Sequence, residues 1–138
     1  MSNANKDLMQ RWFDQVWNDG NSAAIDEMVT DDLVIHGLTD AQGKDITGVS
    51  NFKSFHAQFR SAFPNIVVAV EDVIAEGDRV VARCRVSAKH TGDALGLAPT
   101  NADVSFTGIA IARIENGRIA EAWNNFDFMK MNQQLGIL

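Results

Sequence analysis

Asp127 stands between two phenylalanines, Phe126 and Phe128, and follows Trp123 closely along the chain. A carboxyl in water, with a pKa of about 3.9, is a poor base towards carbon. Burial among aromatic rings penalises its charged form and raises that value towards the range of an acid–base catalyst. Asp127 is therefore a candidate general acid and base. A capping role competes with this reading, because Asp127 also precedes an apolar series at helical spacing, Phe128, Met131 and Leu135, and aspartate is among the best N-caps. In a strand, Trp123, Asn125 and Asp127 have one parity and line one wall.

The three histidines are the other groups able to move protons near neutral pH. His90 ends a row of one parity, Ala82, Cys84, Val86 and Ala88, where it either orients a substrate oxygen or bonds a neighbouring loop. His36 ends a short predicted strand near the mouth of any cavity, and an interior or rim role competes there. His56 follows Phe52 by four residues and precedes Phe59 by three, which sets it beside a buried helical stripe. None of these spacings is that of a metal site. Trp17 and Phe59 are core residues by periodicity and candidate walls for a bound molecule. Cys84 reads as a small buried hydrophobe, and no Gly-x-Ser-x-Gly context supports a serine nucleophile.

The elements that must position these groups are legible from period changes. Helices are predicted over 7–17, 22–29, 49–63 and 128–135, the third stopped by Pro64. Strands are predicted over 33–38, 66–74, 79–89, 104–114 and 118–125, with 40–47 as a loop. Glu76-Gly77-Asp78 and Glu115-Asn116-Gly117 are hairpin turns, so the last four strands form an antiparallel meander. Helices first and long strands afterwards define an α+β domain in which helices cover one face of a bent sheet and leave a pocket. The chain of 138 residues reads as one domain over 1–138.

Composition excludes several classes. A net charge of -6 with scattered Lys and Arg disfavours nucleic-acid binding. No window approaches the length of a membrane span, and the polar start, 1–10, lacks an apolar signal core, which reads as cytoplasmic. The single cysteine makes no internal disulfide.

A set of ordered motifs is more specific. Ala62-Phe63-Pro64-Asn65, Glu76-Gly77-Asp78-Arg79-Val80-Val81-Ala82-Arg83, His90-Thr91-Gly92, Ala98-Pro99-Thr100, Arg113-Ile114-Glu115-Asn116-Gly117-Arg118-Ile119, Glu121-Ala122-Trp123, Asp127 and Gln134-Leu135-Gly136 occur in that sequence. Over about the whole chain this resembles the SnoaL-like polyketide cyclase family of the nuclear-transport-factor-2-like superfamily. Where many relatives continue Pro-Thr with Gly-Lys, this chain has Asn101-Ala102.

The resemblance implies a cone-shaped α+β fold and a homodimer joined through the outer face of the sheet. It also implies a ring-closing enzyme that uses neither metal nor organic cofactor. In it an aspartate matching Asp127 serves an intramolecular aldol reaction on a small apolar ester-type substrate. His90 is implied to reach the pocket, and Trp123, Asn125, His36, Trp17 and Phe59 complete the expected site. Hydrolysis or isomerisation of a small hydrophobic molecule, and binding without catalysis, are the alternative functions.

Overall fold

The apolar series Leu8, Met9, Trp12, Phe13, Val16 and Trp17 is realised as helix α1 (Ser2–Arg11), which runs on as a π-helical segment (Trp12–Asn18) and buries all six side chains. The computed structural model describes residues 2–40, 42–93 and 96–137. Helix α2 (Ser22–Met28) is capped by Asn21, whose side chain accepts from the Ala24 N–H at 3.3 Å.

Strand β1 (Val29–Thr39) begins directly after α2, earlier than the alternation predicts. Asp31 and Asp32 read as a break, yet they lie in an irregular stretch between the paired positions Val29 and Val34, where both face solvent. Strand β2 (Asp45–Thr47) falls within the predicted loop. Three residues are too few to show a period, and β2 exists through its pairing with β1, Ile46 opposite Ile35.

Helix α3 (Val49–Ala62) buries Phe52, His56, Phe59 and Ala62 and ends two residues before Pro64. The meander follows as β3 (Val67–Glu76), β4 (Arg79–Lys89), β5 (Asp103–Glu115) and β6 (Arg118–Phe126). The turn between the last two has positive φ at both Asn116 and Gly117, as the tightest hairpins require. Helix α4 (Phe128–Leu135) closes the chain.

The six strands form one curved, unclosed sheet in the order β2-β1-β6-β5-β4-β3, antiparallel throughout except for the parallel seam β1–β6. Side-chain alternation gives it two unlike faces. Val80, Ala82, Cys84 and Val86 of β4 and Val104, Phe106, Ala110 and Ala112 of β5 are buried towards the helices. Arg83 and Arg85 stand on the opposite, outer face and both reach Glu71, at 2.9 and 3.4 Å. Cys84 is a buried free thiol whose pKa burial pushes up to about 12, with Glu71 adding a smaller push, and this keeps it an unreactive hydrophobe.

Candidate functional site

The helices do not fill the inner face of the sheet. Phe13, Trp17, Phe55 and Phe59 from the helical layer face Val86, Phe106 and Phe126 from the strands, with Phe128 of α4 at one side. Between them lies a narrow cavity of about 50 Å³, partly open to solvent. This is well below the roughly 300–1,000 Å³ of small-molecule sites, so the walls must part to admit more than a few heavy atoms. A second, smaller hollow of about 20 Å³ continues under Trp12 and Phe52 and shares Phe13, Trp17, Leu38 and Asn124 with the first.

Aromatic packing holds these walls. Trp17 meets Phe52, Phe55, His56 and Phe59 edge-on, with ring centroids 4.9 to 6.4 Å apart. Phe128 packs against Phe59, Phe106 and Phe126. His56 is buried beside this group, and its Nε2 donates to the Val16 carbonyl at 2.6 Å. Burial, the largest influence, and the nearby Arg60 lower its pKa against the opposing pull of that bond, so the ring is held neutral as a strut between α3 and the π-helical segment.

Leu38 reaches the cavity because β1 changes hand at Gly37. Its φ of +87° turns the chain so that the alternation skips a residue. A Cβ at Gly37 would stand 1.9 Å from the Asn124 carbonyl oxygen, so the close approach of β1 and β6 admits only glycine.

The residues singled out by type and spacing divide into three places. Trp17 and Phe59 are in the cavity wall. His36, Trp123, Asn125 and Asp127 lie on the outer face of the sheet. The shared parity is real, but the wall it forms faces away from the helices. Ile119, Ala122, Asn124 and Phe126 hold the inward positions of β6. His90 is in neither place. It is 1% exposed and its ring packs on Phe63, with Nδ1 accepting from the Thr100 N–H at 3.1 Å and lying 3.0 Å from the Thr100 hydroxyl. The His90 carbonyl accepts from the Asn101 N–H, and its N–H donates to the Ala102 carbonyl. The ring is the anchor of the loop that precedes β5. Asn101 in that loop takes φ +59°, the left-handed region that asparagine tolerates better than most residues.

The expectation of a dry aromatic enclosure for the Asp127 carboxyl is corrected by the geometry. Asp127 is exposed, caps α4 by accepting from the Lys130 N–H at 3.0 Å, and borders a shallow outer depression with Asn125, Arg83 and Arg85. The cause is parity. Phe126 and Phe128 point into the cavity, and the residue between them points out.

The outer face carries its own polar cluster. His36 Nδ1 and Nε2 each lie 2.7 Å from a carboxylate oxygen, of Asp45 and Glu121 respectively. Arg113 Nε reaches the other oxygen of Glu121 at 3.3 Å. The His36 ring stacks on Trp123, and the Arg79 guanidinium lies 5.0 Å from the centre of the Trp123 ring. Hydrogen bonding to Glu121 and then to Asp45 raises the His36 pKa, while the bond from His36 and then that from Arg113 lower the Glu121 pKa. Among the described residues no group of three or more His, Cys, Asp or Glu side chains is arranged to hold a metal ion.

Sequence reasoning missed Asn124. It lines both hollows, and the other side chains of both linings are aliphatic or aromatic. The parity of β6 carried the signal, since Asn124 shares a face with Ala122 and Phe126.

Residues 7–135 match the sequence model of the SnoaL-like polyketide cyclases. None of the curated proteins compared matches the chain. Among solved structures, TsrD from Streptomyces laurentii is 23% identical at a TM-score of 0.84, with 99% of this chain and 97% of that one covered. A candidate SnoaL-like polyketide cyclase from Jannaschia sp. CCS1 is 23% identical at 0.86, with 99% and 94% covered. IdmH from Streptomyces antibioticus, described as a candidate polyketide cyclase, is 26% identical at 0.81, with 94% and 96% covered. These likenesses show the nuclear-transport-factor-2-like fold. Among the described residues no helix is long and apolar enough to cross a membrane.

Proposed function

Since this chain belongs to the SnoaL-like polyketide cyclase family, we propose that it takes a compact apolar carbonyl compound into the aromatic cavity and promotes its intramolecular aldol ring closure. In that reaction an enol carbon attacks a second carbonyl carbon of the same molecule. One C–C bond forms, and the proton lost by the nucleophile ends on the new alkoxide oxygen. The balance calls for no oxidant, reductant or cofactor.

The observation that carries this reading is the narrow cavity itself, walled by aromatic rings from both layers. Such a space acts by folding a flexible chain so that the reacting carbons meet, a gain that reaches effective molarities of about 10⁵–10⁸ M in well-oriented systems. Described residues lining the cavity bear no carboxyl or imidazole, so positioning supplies the larger share of the proposed rate. The test is incubation with a compact aliphatic diketone able to close to a cyclic β-hydroxyketone, followed by the nuclear magnetic resonance signals of the ketol. Ring closure faster than the buffer rate, and abolished by Phe59→Trp, supports the proposal. Equal rates with and without protein overturn it.

A second reading lets Asp127 move the proton. The family resemblance is what favours this, against the outward course of the side chain. The carboxyl would have to leave the Lys130 N–H, and a cap of this kind is worth about 1 kcal/mol. Unchanged turnover in Asp127→Asn removes this reading and leaves positioning alone. The family resemblance also leads us to propose a homodimer through the outer face, where Ile109 is 46% exposed. Sedimentation as a monomer at assay concentration excludes it.

A further inference from the structure

The segment that brings Trp12, Phe13 and Trp17 to the walls of the two hollows is π-helical over seven residues, Trp12–Asn18, where this conformation ordinarily occurs as a single-turn bulge. The Asp19 N–H bonds back to the Asp14 carbonyl at 2.9 Å, five residues away, where an α-helix would use the carbonyl of Gln15. The register decides what the walls are made of. At 3.6 residues per turn, Trp12 and Trp17 would stand about 140° apart around the axis. Bonding five residues back brings them to one side, where both rings meet Phe52, at 5.3 and 6.2 Å.

A π-helical run of this length needs support from outside, and α3 supplies it. His56 and Arg60 stand one turn apart on that helix and share a face. His56 Nε2 donates to the Val16 carbonyl at 2.6 Å. Arg60 Nη1 donates to the Trp17 carbonyl at 2.5 Å and lies 3.5 Å from that of Asn18, and Nη2 lies 3.5 Å from the Pro64 carbonyl. Among the described residues the guanidinium thus meets carbonyls and no carboxylate, so its charge faces the negative end of the segment. Gly20 passes close beside it, where a Cβ would stand 2.7 Å from Nε and Nη2. The backbone it grips is that of Trp17, whose ring lines both hollows.

From this geometry we infer that Arg60 is a positioning residue of the cavity: its hold on the Trp17 carbonyl keeps the segment in the π register and so keeps Trp12 and Trp17 together against Phe52. The inference rests on the proposed cavity function only in its bearing on turnover, and deepens it by naming what sets the wall. Without the guanidinium the segment passes to the α register, and at least one of the two indoles leaves Phe52. A second mooring is the competing source of the register. The Asn18 carboxamide bonds both the N–H and the carbonyl of Val68 on β3, at 2.6 and 3.0 Å.

The experiment is nuclear magnetic resonance of the full chain labelled with heavy nitrogen and carbon. It reads the coupling across the hydrogen bond of the Asp19 N–H and the cross-peaks of the Trp12 and Trp17 rings to Phe52. In the natural chain the coupling is expected to the Asp14 carbonyl, with both cross-peaks present. In Arg60→Leu, which removes every donor, the coupling moves to Gln15 and a cross-peak is lost, while Arg60→Lys, which keeps a cation and a donor, retains the natural pattern. Arg60→Met is read in the same way should Arg60→Leu not fold. A coupling to Gln15 in the natural chain overturns the inference without any variant. A lowered unfolding midpoint in Arg60→Leu with the coupling still to Asp14 also overturns it and gives the register to Asn18. No substrate enters these readings, so absence of ring closure overturns the cavity function alone, and an unmoved register overturns this inference alone.

Discussion

His36 and Trp123 lie face to face across the parallel β1–β6 seam, ring centroids 5.5 Å apart and planes inclined by 22°. The stack holds the imidazole where each nitrogen meets a carboxylate, Asp45 on β2 and Glu121 on β6. Arg113 and Glu115 of β5 complete the charged surroundings, with Arg79 of β4 over the tryptophan.

The pH dependence of stability follows from these groups. The His36 pKa is raised in the folded state above its ordinary 6.5, so its contribution is complete below about pH 6.5 and is lost as pH rises through the folded value. The Glu121 pKa is lowered from its ordinary 4.5, so its contribution is present above that pH and is lost as pH falls through the folded value. Thermal unfolding midpoints are expected to fall on the alkaline side of this window, and His36→Gln should flatten that limb. A variant whose midpoint falls as steeply as the parent's between pH 6.5 and 9 would show that the clasp is not responsible.

Asp127 should reveal itself first as a cap. Asp127→Ala is expected to cost about 1 kcal/mol in urea unfolding, while Asp127→Asn, which preserves a capping oxygen, should cost at most a few tenths. Equal losses in the two variants would count against the bond to the Lys130 N–H as the source.

His90→Ala should destabilise the fold by roughly 2–4 kcal/mol. It leaves the Thr100 N–H without its acceptor and opens space beside Phe63, where the deleted ring was itself fully buried. Naphthalene affinity at a temperature where the variant remains folded should stay within about twofold, since the ring is outside both linings. A tenfold loss of affinity with stability intact would return His90 to the site.

Gly108 faces the Phe126 ring on the neighbouring strand, and a Cβ there would stand 2.1 Å from Phe126 Cδ2. Gly108→Ala must displace a cavity wall. It is expected to cost about 1–3 kcal/mol, as overpacking does, and to weaken naphthalene binding measurably. Binding and stability both equal to those of the parent would mean that the ring has free room to move.

Local chemistry made most of the fold legible. The helical stripe Phe52, Phe59, the stop at Pro64, the Asn116-Gly117 hairpin and the alternation of β4 each follow from interactions within a few residues. β2 was not legible, because three residues carry no period and their pairing with β1 comes from a distant partner.

The site shows the same division. Sequence determined that Trp123, Asn125 and Asp127 share one side of a strand, since alternation is a property of the backbone. It left open which side turns inward. On β6 the buried face carries Ala122 and Asn124 while the outer face carries a tryptophan, so hydrophobicity pointed the wrong way. Only tertiary structure decided the matter. The helices pack on the face where small residues let them approach, and Trp123 is accommodated outside by stacking on His36 beneath Arg79. The helical layer thereby put Asn124 in the cavity and left Asp127 to cap the last helix.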